Sequence, residues 1–189
     1  GASYVISSKL NKKFKKKIIK VDNCISFLNK FANLKRENCN AKILAITGSA
    51  GKTSLKNVLN ILLSKHDNTY SSPRSFNNHY GVPVSLSNLR SDHRFGIFEV
   101  GMNKSGEINK LSKIVKPHLA VITNIAEAHI ENFKNIKGIA HAKGEIINNI
   151  QNNGTIILNR DDKFFHYLNK KAKFKKIKVI TFGKSKYSD

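Results

Sequence analysis

Short apolar runs alternate with longer, more polar stretches along most of the chain, beginning near residue 42. Most of these runs are continuous rather than alternating with polar residues. Continuous apolar runs are typical of strands in a parallel sheet, where helices cover both faces. The pattern therefore predicts buried strands at residues 42–47, 69–72, 95–100, 118–123, 155–159 and 178–182.

The segments between these runs carry apolar residues at helical spacing. The predicted helix at residues 53–65 has an apolar stripe formed by Leu55, Val58, Leu59, Leu62 and Leu63. Residues 107–115, residues 136–150 and, more weakly, residues 162–170 show the same period. Strands that alternate with helices in this way predict an α/β fold built on a doubly wound, mainly parallel sheet.

The first 40 residues show a different pattern. Two short strands flank a run of lysines, and a helix follows from about residue 23 to residue 36, with Asp22 as its expected N-cap. We interpret residues 1–40 as the end of a preceding domain plus a linking helix, and residues 41–189 as one α/β domain.

The net charge of +22 raises the question of a nucleic-acid partner. Only five of the 34 basic residues are arginine, although arginine is the residue that most often reads bases. The lysine runs also contain few aromatic side chains on which single-stranded bases would stack. We therefore interpret most of this charge as solvated surface, and expect no nucleic-acid partner.

Other features of the composition point to a protein of a reducing compartment. The two cysteines, Cys24 and Cys39, have neither metal-ligand nor redox spacing. No apolar run approaches the roughly 18 residues that a membrane-spanning helix needs, and no signal peptide begins the chain. We expect a cytoplasmic protein without a membrane partner.

A glycine-rich loop lies between the first buried strand and the first amphipathic helix. Glycines let backbone N–H groups turn toward an anion, and the start of the helix adds a positive dipole. A lysine can then reach the terminal phosphates, and a threonine hydroxyl can bind Mg²⁺. The two glycines are more closely spaced than in the usual phosphate loop, yet the strand–loop–helix context predicts nucleotide binding by Gly48, Ser49, Ala50, Gly51, Lys52, Thr53 and Ser54.

Two further residues follow neighbouring strands of the predicted sheet. Glu99 ends an apolar strand, where an ionised carboxylate is costly unless a cation accompanies it. His129 follows the next strand by a few residues. Because the carboxyl ends of the strands gather the ligands of such sheets, we expect Glu99 to bind Mg²⁺ and His129 to bind a metal or a phosphate.

Lys143 falls on the apolar stripe of its helix, together with Ile139, Ala140, Ile146 and Ile147. A buried ammonium tends to lose its proton or to find an anion. A neutral lysine can react with CO₂ to form a carbamate, which binds Mg²⁺ as a carboxylate does. The spacing alone does not distinguish this from a lysine whose stem packs on the sheet while its head reaches water.

The ordered motifs closely resemble those of the Mur ligase family. They are Ile46–Ser54, Asn77–Pro83, Phe98–Ile108, Thr123–His129, Ala142–Ile146 and Leu158–Asp162. Within the family, the blocks Glu-Val-Gly-Met-Asn and Ala-Lys-Gly-Glu-Ile favour the enzyme that adds D-Ala-D-Ala. The resemblance covers roughly residues 42–183, and residues 1–36 more weakly.

This resemblance implies an ATP-dependent amide ligase of cell-wall precursor synthesis. ATP phosphorylates the terminal carboxylate of UDP-N-acetylmuramoyl-tripeptide, and the amine of D-Ala-D-Ala attacks the acyl phosphate. The implied cofactors are ATP and Mg²⁺, and the expected state is a monomer. The family has three domains, of which this chain is expected to hold the end of the UDP-sugar-binding domain and the central ATP-binding domain but not the C-terminal one. We therefore do not expect it to catalyse alone.

The resemblance also implies residue roles. Lys52 would hold the β- and γ-phosphates, while Thr53 and Glu99 would bind one Mg²⁺. His129 and a carbamylated Lys143 would bind a second Mg²⁺ near the acyl phosphate.

Three asparagines have roles on the substrate sides of this site. By the same resemblance, Asn77 and Asn78 would face the muramoyl peptide, and Asn159 would contact the adenine. The residues alone do not distinguish these roles from a simple turn at Asn77 and Asn78 or from a helix cap at Asn159.

Three alternatives remain open. The chain could belong to another Mur ligase or to a folylpolyglutamate synthase-like ligase, which a different amino-acid dependence would reveal. It could be a basic nucleic-acid-binding P-loop module, which predicts steeply salt-dependent binding to DNA or RNA. It could also be a fragment that is inactive by itself.

Overall fold

The computed structural model of the chain describes residues 2–10, 12–128 and 130–189. The predicted site residue His129 therefore lies outside the described residues. The strands are β1 (Val5–Ser7), β2 (Ile18–Lys20), β3 (Lys42–Thr47), β4 (Thr69–Ser71), β5 (Phe95–Glu99), β6 (Leu119–Ile122), β7 (Thr155–Asn159) and β8 (Lys178–Phe182). The helices are α1 (Cys24–Glu37), α2 (Lys52–Ser64), α3 (Gly81–Ser87), α4 (Glu107–Val115), α5 (Ile136–Lys143) and α6 (Phe165–Phe174).

The six strands from β3 onward form one fully parallel sheet in the order β4-β5-β3-β6-β7-β8. The chain leaves the central strand β3 toward one edge through α2, and then returns across the sheet through α3, α4, α5 and α6. Because such crossovers are right-handed, the outward and returning helices lie on opposite faces. The predicted α/β class and doubly wound parallel sheet are confirmed.

The two faces of the sheet are covered unequally. The larger core contains buried residues of α1, α3, α4, α5 and α6, whereas the smaller core holds Ile46, Ile97 and Val121 beneath α2. In the described part of the chain, α2 is the one helix on that second face. An open, almost wholly apolar groove of about 500 Å³ remains there, lined by Leu44, Leu55, Leu59, Leu119, Val121, Thr123, Ile157 and Phe182.

This unequal coverage corrects two expectations from the sequence. Helices do not cover both faces of the strands to the same extent. The predicted stripe on α2 is also only partly buried, because Val58 and Leu62 are 52% and 50% exposed. Leu55, Leu59 and Leu63 are the members of the stripe that pack against the sheet.

Two helix boundaries differ from the prediction. The N-cap of α1 is Asn23 rather than Asp22, since the side chain of Asn23 accepts a hydrogen bond from the Ser26 amide at 2.8 Å. The helix predicted at 136–150 is α-helical only to Lys143, and a 3₁₀ helix continues it from Gly144 to Asn149.

Helix α3 was not predicted from the sequence. Its glycine, proline, serine and valine residues are weak helix formers. Pro83 is tolerated because it lies in the first turn, where the backbone N–H has no acceptor within the helix.

The first 40 residues match the expected order of strand, lysine run, strand and helix. Strands β1 and β2 form a separate parallel pair, and α1 then packs against α3 and α4. Across the described residues, no helix combines the length and apolar character that crossing a membrane requires.

Candidate nucleotide and metal site

The glycine-rich loop connects β3 directly to α2, as predicted. Gly48 has φ of +150°, and a Cβ there would lie 1.8 Å from the Thr123 hydroxyl oxygen. Gly51 is the N-cap of α2, with φ of +80° in the left-handed region. Because a side chain is excluded at Gly48 and strained at Gly51, this loop requires its two glycines.

The loop that follows β6 braces the glycine-rich loop. The backbone and side-chain oxygens of Asn124 accept from the Ser49 and Ala50 amides at 3.0 and 2.9 Å. The Ser49 hydroxyl donates to the Ala126 carbonyl at 2.9 Å. Two amides of the predicted phosphate-binding loop are therefore already paired. The first amides of α2, which have no acceptor within the helix, remain as the donors for an anion.

Lys52 and Thr53 are the first two residues of α2, and each side chain makes a hydrogen bond near the glycine-rich loop. The Lys52 ammonium donates to the Gly48 carbonyl at 2.9 Å, which folds the side chain back over the loop. The Thr53 hydroxyl donates to one Glu99 carboxylate oxygen at 2.8 Å. The predicted pair of Thr53 and Glu99 is thus brought together from the start of a helix and the end of the neighbouring strand.

Glu99 is only 1% exposed, so its carboxylate has few alternatives to protein partners. Its second oxygen accepts from the Asn77 side-chain amide at 2.7 Å. The sequence had suggested a substrate role for Asn77, and the structure adds this contact with the carboxylate.

A divalent cation fits this arrangement. Mg²⁺ prefers hard oxygen ligands and commonly takes one or two from the protein and the rest from phosphates and water. The carboxylate of Glu99 and the hydroxyl of Thr53 are ligands of that kind. Among the residues that the structure describes, no three His, Cys, Asp or Glu side chains lie together as a metal cluster.

Lys143 lies at the end of α5 and is 3% exposed, which favours the buried lysine over one whose head reaches water, two interpretations that the spacing left open. Burial and, to a smaller extent, the positive charge of Lys52 together lower the pKa of its ammonium to about 8. The two lysines face one cavity, so the Lys143 amine lies beside the phosphate loop.

This cavity has a volume of about 310 Å³. Its walls combine six of the predicted site residues with several residues that the sequence analysis did not single out, whereas Thr53 and Glu99 are not among its lining. The lining residues are Gly48, Ser49, Lys52, Asn77, Asn78, His79, Gly101, Met102, Asn103, Glu107, Lys110, Leu111 and Lys143.

Two of the predicted asparagines also have structural contacts. Asn78 lines the cavity, and its side-chain oxygen accepts from the Tyr80 and Gly81 amides, which organises the start of α3. Asn159 ends β7, and its side-chain oxygen accepts from the Asp161 amide at 3.0 Å. Its adenine contact stays a prediction.

The sequence analysis missed several residues of this cavity because their sequence features indicate a functional role only weakly. His79 adjoins the two predicted asparagines, and Asn103 and Glu107 lie in the stretch after Glu99. Lys110 is an exposed lysine of α4 in a chain with many exposed lysines, so nothing in its spacing separates it from the rest.

The parallel sheet, the glycine-rich loop at the start of α2 and the buried carboxylate on the adjacent strand define a P-loop α/β domain. The Mur ligase middle domain matches residues 46–189. The UDP-N-acetylmuramoyl-tripeptide–D-alanyl-D-alanine ligase of Rickettsia prowazekii is 44% identical over 167 residues, which cover 88% of this chain and 37% of that protein. The chain belongs to the Mur ligase family.

Solved structures agree with this assignment. A MurF structure from Acinetobacter baumannii superposes with a TM-score of 0.88 at 34% identity, over 98% of this chain and 40% of that one. The MurF ligase of Thermotoga maritima in complex with ADP gives 0.84 at 29% identity, over 98% of this chain and 42% of that one. The chain therefore spans well under half the length of the relatives it matches.

Proposed function

We propose that this chain is the ATP-binding part of an ATP-dependent amide ligase that joins D-Ala-D-Ala to UDP-N-acetylmuramoyl-tripeptide in peptidoglycan precursor synthesis. The observation that carries the proposal is that Lys52 and the buried Lys143 line one cavity at the phosphate loop, while the Thr53–Glu99 pair is hydrogen-bonded to Asn77 in its wall. The names of the relatives in Rickettsia and Acinetobacter supply the specific reaction.

In the proposed reaction, the γ-phosphoryl group of ATP passes to the terminal carboxylate of the tripeptide. The bond between the β-bridging oxygen and the γ-phosphorus breaks, ADP leaves, and an acyl phosphate forms. The amine of D-Ala-D-Ala then attacks the acyl carbon and loses a proton, and phosphate leaves as the amide forms.

The protein residues contribute mainly charge and position. Lys52 would release the Gly48 carbonyl and turn to the β- and γ-phosphates, where a fixed positive charge stabilises the transferring group. Thr53 and Glu99 would hold Mg²⁺, which neutralises charge on the phosphate oxygens. The Thermotoga relative forms a complex with ADP, which supports nucleotide binding by this chain.

The remaining assignments follow from the family resemblance. We propose that Lys143 is carbamylated and that it holds a second Mg²⁺ together with His129. Asn77 and Asn78 would face the muramoyl peptide, and Asn159 the adenine. We also propose a cytoplasmic, monomeric protein, since each substrate in this reaction is a soluble precursor.

The first test uses this chain alone and measures binding of a fluorescent ADP analogue in the presence of Mg²⁺. Lys52→Ala should weaken binding by about 10- to 100-fold, because a charge-assisted hydrogen bond to phosphate contributes roughly 1.5–3 kcal/mol. Lys65→Ala, at the exposed end of α2, is the matched control and should bind as the unmodified chain does.

The second test measures ADP release by the gene product that contains this chain, with UDP-N-acetylmuramoyl-tripeptide, Mg²⁺ and bicarbonate. Release that requires D-Ala-D-Ala and is lost in Lys52→Ala would support the proposed reaction. Release that requires a different amino acid would indicate another Mur ligase or a folylpolyglutamate synthase-like enzyme. Absence of release, combined with salt-sensitive binding to DNA or RNA, would overturn the ligase assignment in favour of a nucleic-acid-binding module.

A further inference from the structure

Lys56 is among the largest fully buried side chains in the described part of the chain, with 1% exposure, yet the proposed reaction gives it no role. It lies on α2, one helical turn after Lys52. Burial lowers the pKa of its ammonium, and the nearby carboxylate of Glu99 opposes that lowering. A lysine in the interior of a domain is costly unless its N–H groups find acceptors.

The acceptors are two backbone carbonyls in the loop between β4 and α3. The ammonium donates to the Ser72 carbonyl at 2.8 Å and also to the Arg74 carbonyl. Arg74 has φ of +47°, in the left-handed region that non-glycine residues seldom adopt. The lysine therefore ties the phosphate-loop helix to a loop whose backbone turns sharply at the point of attachment.

The same loop contacts both members of the proposed metal-binding pair. The Ser72 hydroxyl oxygen accepts from the Glu99 amide at 3.3 Å. The hydroxyls of Ser75 and Thr53 lie 3.3 Å apart. Two residues further on, Asn77 donates to the Glu99 carboxylate at 2.7 Å. Displacement of this loop would therefore disturb Thr53 and Glu99 together.

We propose that Lys56 is a positioning residue for the Mg²⁺–nucleotide site: by holding the carbonyls of Ser72 and Arg74, it keeps the loop in place that aligns Glu99 with Thr53. This inference rests on the proposed function, since it assumes that Thr53 and Glu99 bind Mg²⁺. Lys56 contacts neither nucleotide nor metal in this scheme. Its replacement should therefore change only the part of the nucleotide affinity that depends on Mg²⁺.

The test compares Lys56→Met with Lys65→Met, which removes an exposed lysine just beyond the end of the same helix. The affinity of each protein for the fluorescent ADP analogue is measured with Mg²⁺ and with a chelator. The unmodified chain and Lys65→Met should show the same gain in affinity on adding Mg²⁺. Lys56→Met should lose most of that gain, by about tenfold, while its affinity in the chelator changes by less than about twofold.

A purely structural role would give a different result, because general loosening of the domain would weaken binding equally with and without Mg²⁺. Equal losses, or an unchanged gain from Mg²⁺, would overturn the proposal. If Lys56→Met does not fold, Ser72→Ala decides the question. It keeps the carbonyl that Lys56 uses but removes the bond to the Glu99 amide, and it should reduce the gain from Mg²⁺; full retention of the gain would overturn the proposal.

The failure of the underlying function is distinguishable from these outcomes. In that case the unmodified chain itself would show no binding of the analogue, or no gain from Mg²⁺, before any variant is considered.

Discussion

Replacement of Lys143 by methionine should stabilise the fold while it removes a group of the proposed site. Burial lowers the pKa of Lys143 from the ordinary 10.5 to about 8. Through proton linkage, this difference corresponds to roughly 3 kcal/mol of folding free energy at neutral pH. Methionine has a similar length and no charge to desolvate, so Lys143→Met should recover most of that free energy.

The sign of the pH dependence follows from proton binding. Between about pH 8 and pH 10.5 the unfolded chain binds a proton at Lys143 that the folded chain does not, so the stability of the unmodified protein rises with pH. Below about pH 8 both states bind the proton and the cost is constant. The advantage of Lys143→Met should therefore be largest near neutral pH and should shrink toward pH 10.

Urea unfolding at several pH values between about 7 and 10, in buffers free of CO₂, measures this difference. Lys113→Met is the matched control, since Lys113 is an exposed lysine of α4 and its loss should give no such pH dependence. A variant at Lys143 that is no more stable than the unmodified chain at pH 7 would refute the reasoning. So would an advantage that persists unchanged at pH 10.

The same lowering of the pKa predicts reactivity. At pH 7, about a tenth of the Lys143 amine would be neutral, against roughly one part in three thousand for an ordinary lysine. With ¹³C-labelled bicarbonate, a carbamate resonance should therefore appear in the unmodified chain, and it should be missing from Lys143→Met but present in Lys113→Met. A spectrum that does not distinguish the two variants would contradict carbamylation at Lys143.

Three further substitutions test the framework of the site. Gly48→Ala should abolish binding of the fluorescent nucleotide, because its Cβ would lie 1.8 Å from the Thr123 hydroxyl oxygen; unchanged binding would show that the loop can shift without loss. Arg36→Met should lower the free energy of unfolding by about 2–4 kcal/mol, because the buried guanidinium donates to the last carbonyls of α4, and a urea midpoint within error of the parent would contradict this. Glu145→Gln should cost about 1–2 kcal/mol in the same assay, since both carboxylate oxygens accept from amides at the start of α4 and one would be replaced by a donor; full stability would exclude this capping role.

The sequence predicted those parts of the fold whose signals are local. Continuous apolar runs located the strands of the large sheet to within one or two residues, because strands buried in a parallel sheet carry little else. The phosphate loop was equally clear, since Gly48, Gly51, Lys52 and Thr53 all lie in the short stretch from the end of β3 to the first residues of α2. Lys143 was found because a charged residue contradicts the apolar period around it.

The structure added features that depend on residues distant in sequence. Asn124 accepts hydrogen bonds from the amides of Ser49 and Ala50, more than 70 positions away in the sequence. The spacing of apolar residues does not predict a contact of this kind. Lys56 is the instructive case, because it lies on α2 among residues of helical period and looks like an ordinary exposed lysine. Its burial follows from two carbonyls in a loop that the sequence indicated only as polar.

Lys56 and Lys143 show why burial of a lysine does not by itself identify chemistry. Both are nearly inaccessible, and burial lowers the pKa of both. The ammonium of Lys56 has backbone carbonyls as acceptors and the carboxylate of Glu99 nearby, so its surroundings stabilise the charge. Lys143 instead faces the cavity beside Lys52, whose like charge favours the neutral amine. The sign of the nearest charge, rather than the depth of burial, therefore separates the lysine that holds a loop from the lysine that is poised to react.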